Sequence, residues 1–292
     1  MDTIPCEFCE RSVPMEEYGA HLSLHNIEGI QADDDEIIDL TDEKIPEEPV
    51  ARPTEAPSRR IRVHGNRVSG LISELQRQLQ AESDIEFRLC DECDLFRQTD
   101  NWTCGPRNFQ ILLDSLHRRG LINQSELSVS EIQNTVDEAR RQGFDPRVIR
   151  FAKTKRWMGA VDFWALLSHL NVDVSLVDSV TRGNEKHVML FRQAWNALGT
   201  GLPVYLQRGG HSLTVIGAVR RNGEMGELSL LLWDPLNRLN VRSLRWEQLA
   251  TPLNAFKRRE YQLLMTTGER LTMLQRSHKK GAPTSIRLRN SG

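Results

Sequence analysis

The order of the apolar patterns along residues 66–270 narrows the possible folds more than any other feature. This segment holds all six tryptophans of the 292 residues, and helix-spaced apolar groups centred on Leu75, Leu112 and Leu166 come first. Strand-like runs then follow one another at 172–177, 203–207, 212–219 and 228–233. Helices followed by sequential strands predict an α+β domain, which we place at residues 65–270.

Cys104 stands immediately before one of the predicted helices, at about 106–119. Pro106 is typical of a first helical turn, and Gly120 is typical of the position after a helix. Exposed N–H groups and the positive end of the helix dipole favour a thiolate over a thiol at such a position. A thiolate there is the nucleophile of a papain-like peptidase, but a lone cysteine before a helix is usually structural, so a base is needed.

His211 and Asp234 are predicted to lie opposite each other in a hairpin and to supply that base. Asn222-Gly223 is a strong two-residue turn signal between apolar runs, and this turn places the two Cβ atoms about 5 Å apart. A register shift by an even number of residues keeps both side chains on one face. The alternative is a structural His–Asp pair, but with Cys104 before a helix we favour a Cys–His–Asp triad.

Residues 1–28 have the ligand spacing of a small ββα-type zinc finger. Cys6, Cys9, His21 and His25 give C-x2-C-x11-H-x3-H, which predicts one structural Zn²⁺ per chain. The helix region carries two glutamates and no lysine or arginine, so no direct nucleic-acid readout is expected. Its short spacing resembles that of ubiquitin-binding zinc fingers. The alternative is four unrelated residues.

Residues 29–64 are predicted to form a disordered acidic linker, because they bury too little apolar area to offset their chain entropy. Within it, Ile37, Ile38 and Leu40 lie between acidic flanks and resemble a SUMO-interacting motif, which adds a strand to the edge of the modifier's sheet. The alternatives are a random apolar patch and binding to another ubiquitin-like fold.

Charge and hydropathy argue against other classes of protein. The 38 Lys+Arg and 40 Asp+Glu give a net charge of -2, which is unlike a strongly basic nucleic-acid binder. No apolar run is long enough to span a bilayer, and the first residues lack the features of a secretory signal. We therefore expect an intracellular protein with no membrane partner.

The second cysteine pair and the C-terminal residues are not predicted to form a functional site. Cys90 and Cys93 form a second C-x-x-C, but no suitably spaced His or Cys pair follows, so a place in the core is favoured over a second metal site. Residues 271–292 are basic and are predicted to be a flexible tail.

Several segments resemble peptidase family C78, whose members act on ubiquitin and on the ubiquitin-fold modifier. The resemblance covers about residues 65–268, with the finger in addition. Its carriers are Trp102–Gln110, Gly143–Pro146, Thr154–Ala160, Pro203–Gln207, Gly210–Gly217 and Trp233–Pro235. The resemblance implies a papain-like fold with Cys104 as nucleophile, His211 as base, Asp234 as orienting acid and Gln207 as the donor to the oxyanion.

The chain departs from the family pattern at two places. Thr103 and Pro106 stand where the family usually has Gly and Tyr. An oxyanion-stabilising Tyr is therefore lost, and Gln207 must supply more of the stabilisation of the oxyanion. Members that process the ubiquitin-fold modifier carry Asp-Pro-His, whereas Leu236 takes the place of that histidine here. The base must then be His211, as in the zinc-finger, ubiquitin-directed branch.

The resemblance implies a deubiquitinating cysteine peptidase that cleaves polyubiquitin, with a preference for long chains joined through the sixty-third lysine of ubiquitin. It also implies a place in the nucleus as well as the cytoplasm and a role in the DNA damage response. The alternatives are a peptidase for the ubiquitin-fold modifier or SUMO, and a non-catalytic reader of these modifiers.

The helix at about 66–82 resembles a ubiquitin-gripping helix of the family. Leu71, Leu75 and Leu79 lie on its apolar face and are predicted to contact ubiquitin. The alternative is that they pack onto the domain itself.

Overall fold

The computed structural model of the protein describes residues 3–5, 12–14, 61–124, 126–181, 187–221 and 228–288. The chain divides into two compact units, Met1–Pro57 and Ser58–Gly292. The described part of the first unit is an antiparallel pair of strands, β1 (Thr3–Pro5) and β2 (Ser12–Pro14).

The second unit mixes helices and strands. Its described helices are α1 (Leu71–Gln80), α2 (Cys104–Arg118), α3 (Val129–Arg141), α4 (Ala160–His169), α5 (Val188–Leu198) and α6 (Met273–His278). Its described strands are β3 (Arg62–His64), β4 (Arg67–Ser69), β5 (Ile85–Leu89), β6 (Leu95–Phe96), β7 (Val172–Val180), β8 (Val204–Arg208), β9 (His211–Arg221), β10 (Leu228–Trp233), β11 (Ala250–Pro252), β12 (Glu260–Arg270) and β13 (Ser285–Leu288). None of the described helices has the length and apolar character needed to cross a bilayer.

One eight-stranded sheet organises this unit, with the order β11-β10-β9-β8-β12-β7-β13 and with β5 added to β9. All its pairs are antiparallel except that of β13 with β7. Strand β9 pairs with β8 along its first half, with β5 along its second half, and with β10 at its other edge. Strands β3, β4 and β6 form a small separate sheet.

Helices cover both faces of the large sheet, because alternate residues of its strands belong to two different cores. In β12, Leu263 joins the core beneath α1 and α5, whereas Leu264 joins the core beneath α2, α3 and α4. The second core includes a stacked pair of rings, Phe109 and Phe163, with centroids 4.2 Å apart. This pair packs α2 against α4 above the sheet.

Most of the predicted elements are confirmed, and the mixed helix–sheet class is correct. The first helix begins later than predicted, because Val68 lies in β4 and Gly70 adopts a left-handed conformation with φ 79° before α1. Helix α3 was not predicted, although its start carries a capping box between Ser128 and Glu131.

The predicted ubiquitin contacts of α1 are wrong. Leu71, Leu75 and Leu79 are each 0% exposed and belong to the core between α1 and the sheet. On the same helix, the Gln78 side chain donates to the carbonyl of Leu244 and accepts from the N–H of Trp246, at 3.0 Å each. The apolar face of α1 therefore packs onto its own domain.

The prediction of a flexible tail is wrong for residues 273–288, which form α6 and β13. Strand β13 completes the edge of the large sheet by pairing with β7, where Ile286 lies opposite Val177. Leu288 is buried in one of the cores, and Asp145 donates its N–H to the carbonyl of Gly281 at 2.9 Å. An open edge of β7 would otherwise present unpaired backbone groups, so the domain extends to at least residue 288.

Deleting residues 282–292 should therefore destabilise the domain, because it uncovers the β7 edge and removes Leu288 from the core. We expect a loss of about 2 kcal/mol in the free energy of unfolding, or roughly 4–8 °C in Tm. Thermal unfolding followed by circular dichroism measures it. Deleting only residues 289–292 is the control and should leave Tm unchanged. Equal Tm values for both deletions would support the sequence-based prediction that residues 271–292 are a flexible tail.

Candidate active site

The loop before α2 is held by one carboxylate. Oδ1 of Asp100 accepts hydrogen bonds from the backbone N–H of Trp102 at 3.2 Å and of Thr103 at 2.9 Å, and from the Thr103 hydroxyl at 2.6 Å. Burial opposes ionisation of Asp100, but these bonds lower the pKa of its carboxyl. The anchored loop fixes Cys104 as the first residue of α2.

The residue after Cys104 has to be glycine because another part of the chain lies directly against it. A Cβ on Gly105 would lie 2.3 Å from the carbonyl oxygen of Met158. Pro106 falls inside the first turn of α2 rather than at its first residue, which a helix tolerates because N–H groups there lack intrahelical acceptors.

His211 is placed by a tight hairpin that was not predicted. Strands β8 and β9 are joined at Gly209-Gly210, with Arg208 opposite His211 and Gly210 at φ 75°. Gly-Gly between two apolar runs is a recognised hairpin signal, so the sequence contained the information. His211 is thereby the first residue of β9, next to the start of α2.

Asp234 follows β10 directly and reaches His211, although the predicted register was wrong. The predicted turn at Asn222-Gly223 would place Leu230 opposite Val215, but Leu230 lies opposite Ala218, and a bulge after Leu231 changes the offset again. Beyond that bulge the offset from the predicted register is even, so Asp234 remains on the same face as His211. Oδ2 of Asp234 lies 3.0 Å from Nε2 of His211, and its Oδ1 accepts from the N–H of Leu236.

The charges of the site favour a thiolate–imidazolium pair. The hydrogen bond to Asp234, followed by the one to Cys104, raises the pKa of His211 to about 9. Burial opposes ionisation of the Cys104 thiol, but hydrogen bonds from His211 and Ser212 outweigh it and lower the pKa of the thiol. Because Nε2 of His211 is bonded to Asp234, Nδ1 is the ring nitrogen left to face sulfur.

Three buried polar residues around Cys104 were missed at the sequence level. Asn108 donates from Nδ2 to the carbonyl of Cys104 at 2.9 Å and to Oγ of Ser212 at 3.1 Å. The Thr214 hydroxyl donates to Oδ1 of Asn108 at 2.8 Å. Position 108 lies one helical turn after Cys104, a spacing that placed it beside the nucleophile; no local pattern indicated Ser212 or Thr214.

Gln207 lies at the site, but its amide is already bonded within the protein. Its Nε2 donates to the carbonyls of Arg208 and His211 at 3.1 Å each, and its Oε1 accepts from the Tyr205 hydroxyl at 2.8 Å. To donate to an oxyanion, the Gln207 amide would have to give up its hydrogen bond to one of these carbonyls. The backbone N–H of Cys104 lies in the first turn of α2, where N–H groups have no acceptor within the helix, so it is a further candidate donor.

A segment at 157–159 forms one wall of the site. Its Met158 carbonyl touches Gly105, and a Cβ on Gly159 would lie 3.3 Å from Oε1 of Gln207. The N–H of Gly159 donates to Oδ2 of Asp162 at 2.7 Å.

A buried ion cluster stands behind that wall. Oδ1 of Asp162 accepts from Arg140 and from Arg147, and both arginines also bind Asp145. Arg140 and Asp145 are 6% and 1% exposed in their side chains, so their mutual pairing is what makes their burial tolerable. The cluster thereby fixes the wall against the start of α2.

Two exposed apolar side chains flank the His–Asp pair. Trp157 is 54% exposed and lies beside Gly210, and Leu236 is 47% exposed just after Asp234. They are open to a substrate, in contrast with the buried leucines of α1.

Cys90 and Cys93 are core residues. They are 2% and 0% exposed, and their sulfur atoms lie 4.0 Å apart between β5 and β6. Other predicted residues fall outside the described ones: the zinc ligands Cys6, Cys9, His21 and His25, and the SUMO-motif residues Ile37, Ile38 and Leu40.

Comparison with known proteins finds relatives among ubiquitin peptidases. Zinc finger-containing ubiquitin peptidase 1 of Macaca fascicularis is 31% identical over 240 residues, which are 69% of this chain and 41% of that protein. Ubiquitin carboxyl-terminal hydrolase mug105 of Schizosaccharomyces pombe is 25% identical over 178 residues, which are 51% of this chain and 70% of that protein. The chain thus spans less than half the length of the first relative.

The fold has a counterpart in the crystal structure of UfSP from C. elegans, with a TM-score of 0.50 over 68% of this chain and 38% of that one. Sequence identity is 13%, so this likeness concerns the fold alone. The sequence pattern of Peptidase family C78 matches residues 80–264. Since this match covers more than half of the 292 residues, the chain belongs to peptidase family C78.

Proposed function

We propose that the chain is a cysteine peptidase that hydrolyses isopeptide bonds of ubiquitin chains. Cys104 is the nucleophile, His211 the base and Asp234 the acid that orients it. The observation that carries this proposal is the hydrogen-bonded series from the thiol at the start of α2, through the imidazole, to the carboxylate. Nucleophile, base and orienting group in hydrogen-bond contact are the arrangement that acyl transfer needs.

In the first half of the reaction, the Cys104 thiolate attacks the carbonyl carbon of the isopeptide bond. The new oxyanion is stabilised by the backbone N–H of Cys104, and by Gln207 once one of its amide protons leaves a carbonyl. The imidazolium of His211 then gives its proton to the departing lysine amine. The C–N bond breaks, and a thioester between Cys104 and the modifier's C-terminus remains.

In the second half, neutral His211 accepts a proton from water as the water attacks the thioester. The C–S bond breaks, the modifier leaves with a free carboxylate, and the thiolate–imidazolium pair is restored. Asp234 keeps its charge throughout and holds the ring in one orientation, which is why its pKa has to stay low: burial opposes ionisation, and the hydrogen bond from His211 lowers it.

Ubiquitin is the favoured modifier because the relatives reported above carry ubiquitin in their names. The family resemblance extends this proposal to long ubiquitin chains joined through the sixty-third lysine of ubiquitin. It also extends the proposal to a nuclear role in the DNA damage response. Peptidases for the ubiquitin-fold modifier or for SUMO are the alternatives, and a non-catalytic reader is a third.

Reaction with probes that carry a C-terminal electrophile should separate these functions. The parent chain should bind the ubiquitin probe covalently, and Cys104→Ala should lose the adduct completely because the nucleophile is gone. Cys93→Ala is a matched control, since its sulfur is buried in the core 4.0 Å from that of Cys90, and it should still react. An adduct only with the SUMO or ubiquitin-fold modifier probe would overturn the ubiquitin assignment, and no adduct with any probe would favour the reader.

Replacing Asp234 with Asn should shift the alkaline limb of activity to lower pH. Asp234 is the main cause of the raised pKa of His211, about 9, so its loss lets the imidazolium deprotonate at lower pH. In the pH profile of kcat/KM for a fluorogenic ubiquitin amide, we expect the alkaline limb to move to lower pH by at least roughly one pH unit. The measurement is a profile from pH 5 to 10; an alkaline limb at the parent's position would remove Asp234 from the triad.

The first unit is proposed to supply affinity for ubiquitin and SUMO. Strands β1 and β2 form a hairpin whose connection contains Cys6 and Cys9, which fits the cysteine knuckle of a ββα finger. Soft thiolates and imidazoles are a donor set that suits Zn²⁺, which would be held by these two cysteines with His21 and His25. The acidic segment around Ile37 is proposed to bind SUMO as an added strand.

One titration of the full chain against immobilised ubiquitin chains and against SUMO tests both parts. Removing zinc with a chelator should weaken ubiquitin-chain binding and spare SUMO binding, because a small zinc module unfolds without metal. Replacing Ile37, Ile38 and Leu40 together with Ala should do the reverse. Unchanged ubiquitin-chain affinity after chelation, or SUMO affinity that survives the triple substitution, would refute the corresponding part.

A further inference from the structure

The serine that follows the proposed base is buried against the nucleophile. Ser212 is 1% exposed, and Asn108 donates both to its Oγ at 3.1 Å and to the carbonyl of Cys104 at 2.9 Å, which places Ser212 beside the nucleophile. Hydrogen bonds from the Ser212 hydroxyl and backbone N–H lower the pKa of the Cys104 thiol. We propose that Ser212 is a further catalytic residue: its hydroxyl donates a hydrogen bond to the Cys104 thiolate, and Asn108 is the positioning residue that aims it. This inference rests on the proposed function, because it assigns a role to the same nucleophile.

Asn108 is built to hold that hydroxyl in one place. It is 0% exposed, it bonds the Cys104 carbonyl on its own helix, and it bonds Oγ of Ser212 across to β9. Thr214 lies two residues after Ser212, on the same face of β9, and its hydroxyl donates to Oδ1 of Asn108. The orientation of the Asn108 amide is thereby fixed, so its N–H points at Ser212.

The hydrogen bonds of the Ser212 hydroxyl limit which atom can accept its proton. Asn108 donates to one of its lone pairs, so the single O–H proton is free to be given to an acceptor. The acceptors within reach are the Cys104 sulfur and the Tyr205 oxygen. Tyr205 is a neutral phenol, because burial raises its pKa. A thiolate is a charged acceptor and forms the stronger hydrogen bond, so the proton goes to sulfur when Cys104 is ionised.

This arrangement addresses a physical problem of the site. Burial of the thiol disfavours its charge, and His211 supplies only one donor. A second donor that is already fixed in the folded protein stabilises the thiolate without any reorganisation at the moment of attack. The expected consequence is that the acid limb of the reaction extends to lower pH than His211 alone would allow.

The test compares two substitutions of nearly equal shape, Ser212→Thr and Ser212→Val. Threonine keeps the hydroxyl and valine replaces it with a methyl group of nearly the same size, so any steric cost of the larger side chain is common to both. The measured quantity is the rate of Cys104 alkylation by iodoacetamide as a function of pH, followed on the Cys104 peptide by mass spectrometry. Thermal unfolding of each variant checks that it is folded.

We expect the alkylation midpoint of Ser212→Val to lie roughly one pH unit above that of Ser212→Thr, with Ser212→Ala moving the same way. Asn108→Ala should move it in that direction by less, because the hydroxyl remains but is no longer aimed. Ser168→Ala is the matched control: Ser168 is 0% exposed, its hydroxyl has no partner among the described residues, and its substitution should leave the midpoint unchanged.

Coincident midpoints for the valine and threonine variants would overturn the role of Ser212. A shift for Ser212→Val without one for Asn108→Ala would remove Asn108 as the positioning residue and retain Ser212. Alkylation needs no modifier substrate. A chain that shows the shift and cleaves no ubiquitin chain would therefore refute the proposed function and leave only the hydrogen bond from Ser212 to the Cys104 thiolate standing.

Discussion

The packing of α2 across β9 is the contact on which the site depends. Cys104 begins the helix and His211 begins the strand, so the two reacting groups meet only because the helix lies over the strand. Apolar packing holds this crossing, because Ile111 of α2 is buried in the same core as Leu213 of β9. Polar bonds then set the register, since Asn108 of α2 reaches the side chains of β9. Dispersion and burial bring the elements together, and directional bonds align them.

Around that crossing, the site is kept rigid by groups that take no part in the chemistry. The carboxylate of Asp100 fixes the loop before the nucleophile, and Asp162 fixes the wall at 157–159. Gly105 lets that wall approach to contact distance of the helix. This support requires a buried carboxyl at Asp162: burial raises the pKa of that carboxyl, and the neighbouring Arg140 and Arg147 act against the shift. A thiolate in a fixed surrounding of donors is stabilised before substrate arrives.

Local rules predicted which residues meet at the candidate site better than they predicted which surfaces are exposed. Cys104 was found because a helix start has a defined chemistry, and the His211–Asp234 pair was found because strand parity survives an even slip in register. The bulge after Leu231 was invisible in sequence, since it depends on how β10 meets its neighbours. The leucines of α1 were misassigned because an amphipathic face has the same pattern whether it packs on its own domain or on a partner.

The sequence by itself determined the periodic elements, the helix start at Cys104 and the family pattern, because each depends on residues close together in the chain. Only the tertiary structure decided that residues 273–288 complete the sheet, that Gln207 already bonds two carbonyls, and that Ser212 and Asn108 surround the thiol. These facts join residues up to about a hundred positions apart. Their energy comes from burial and from hydrogen-bond geometry that exists only after folding, so no local pattern in the sequence records them.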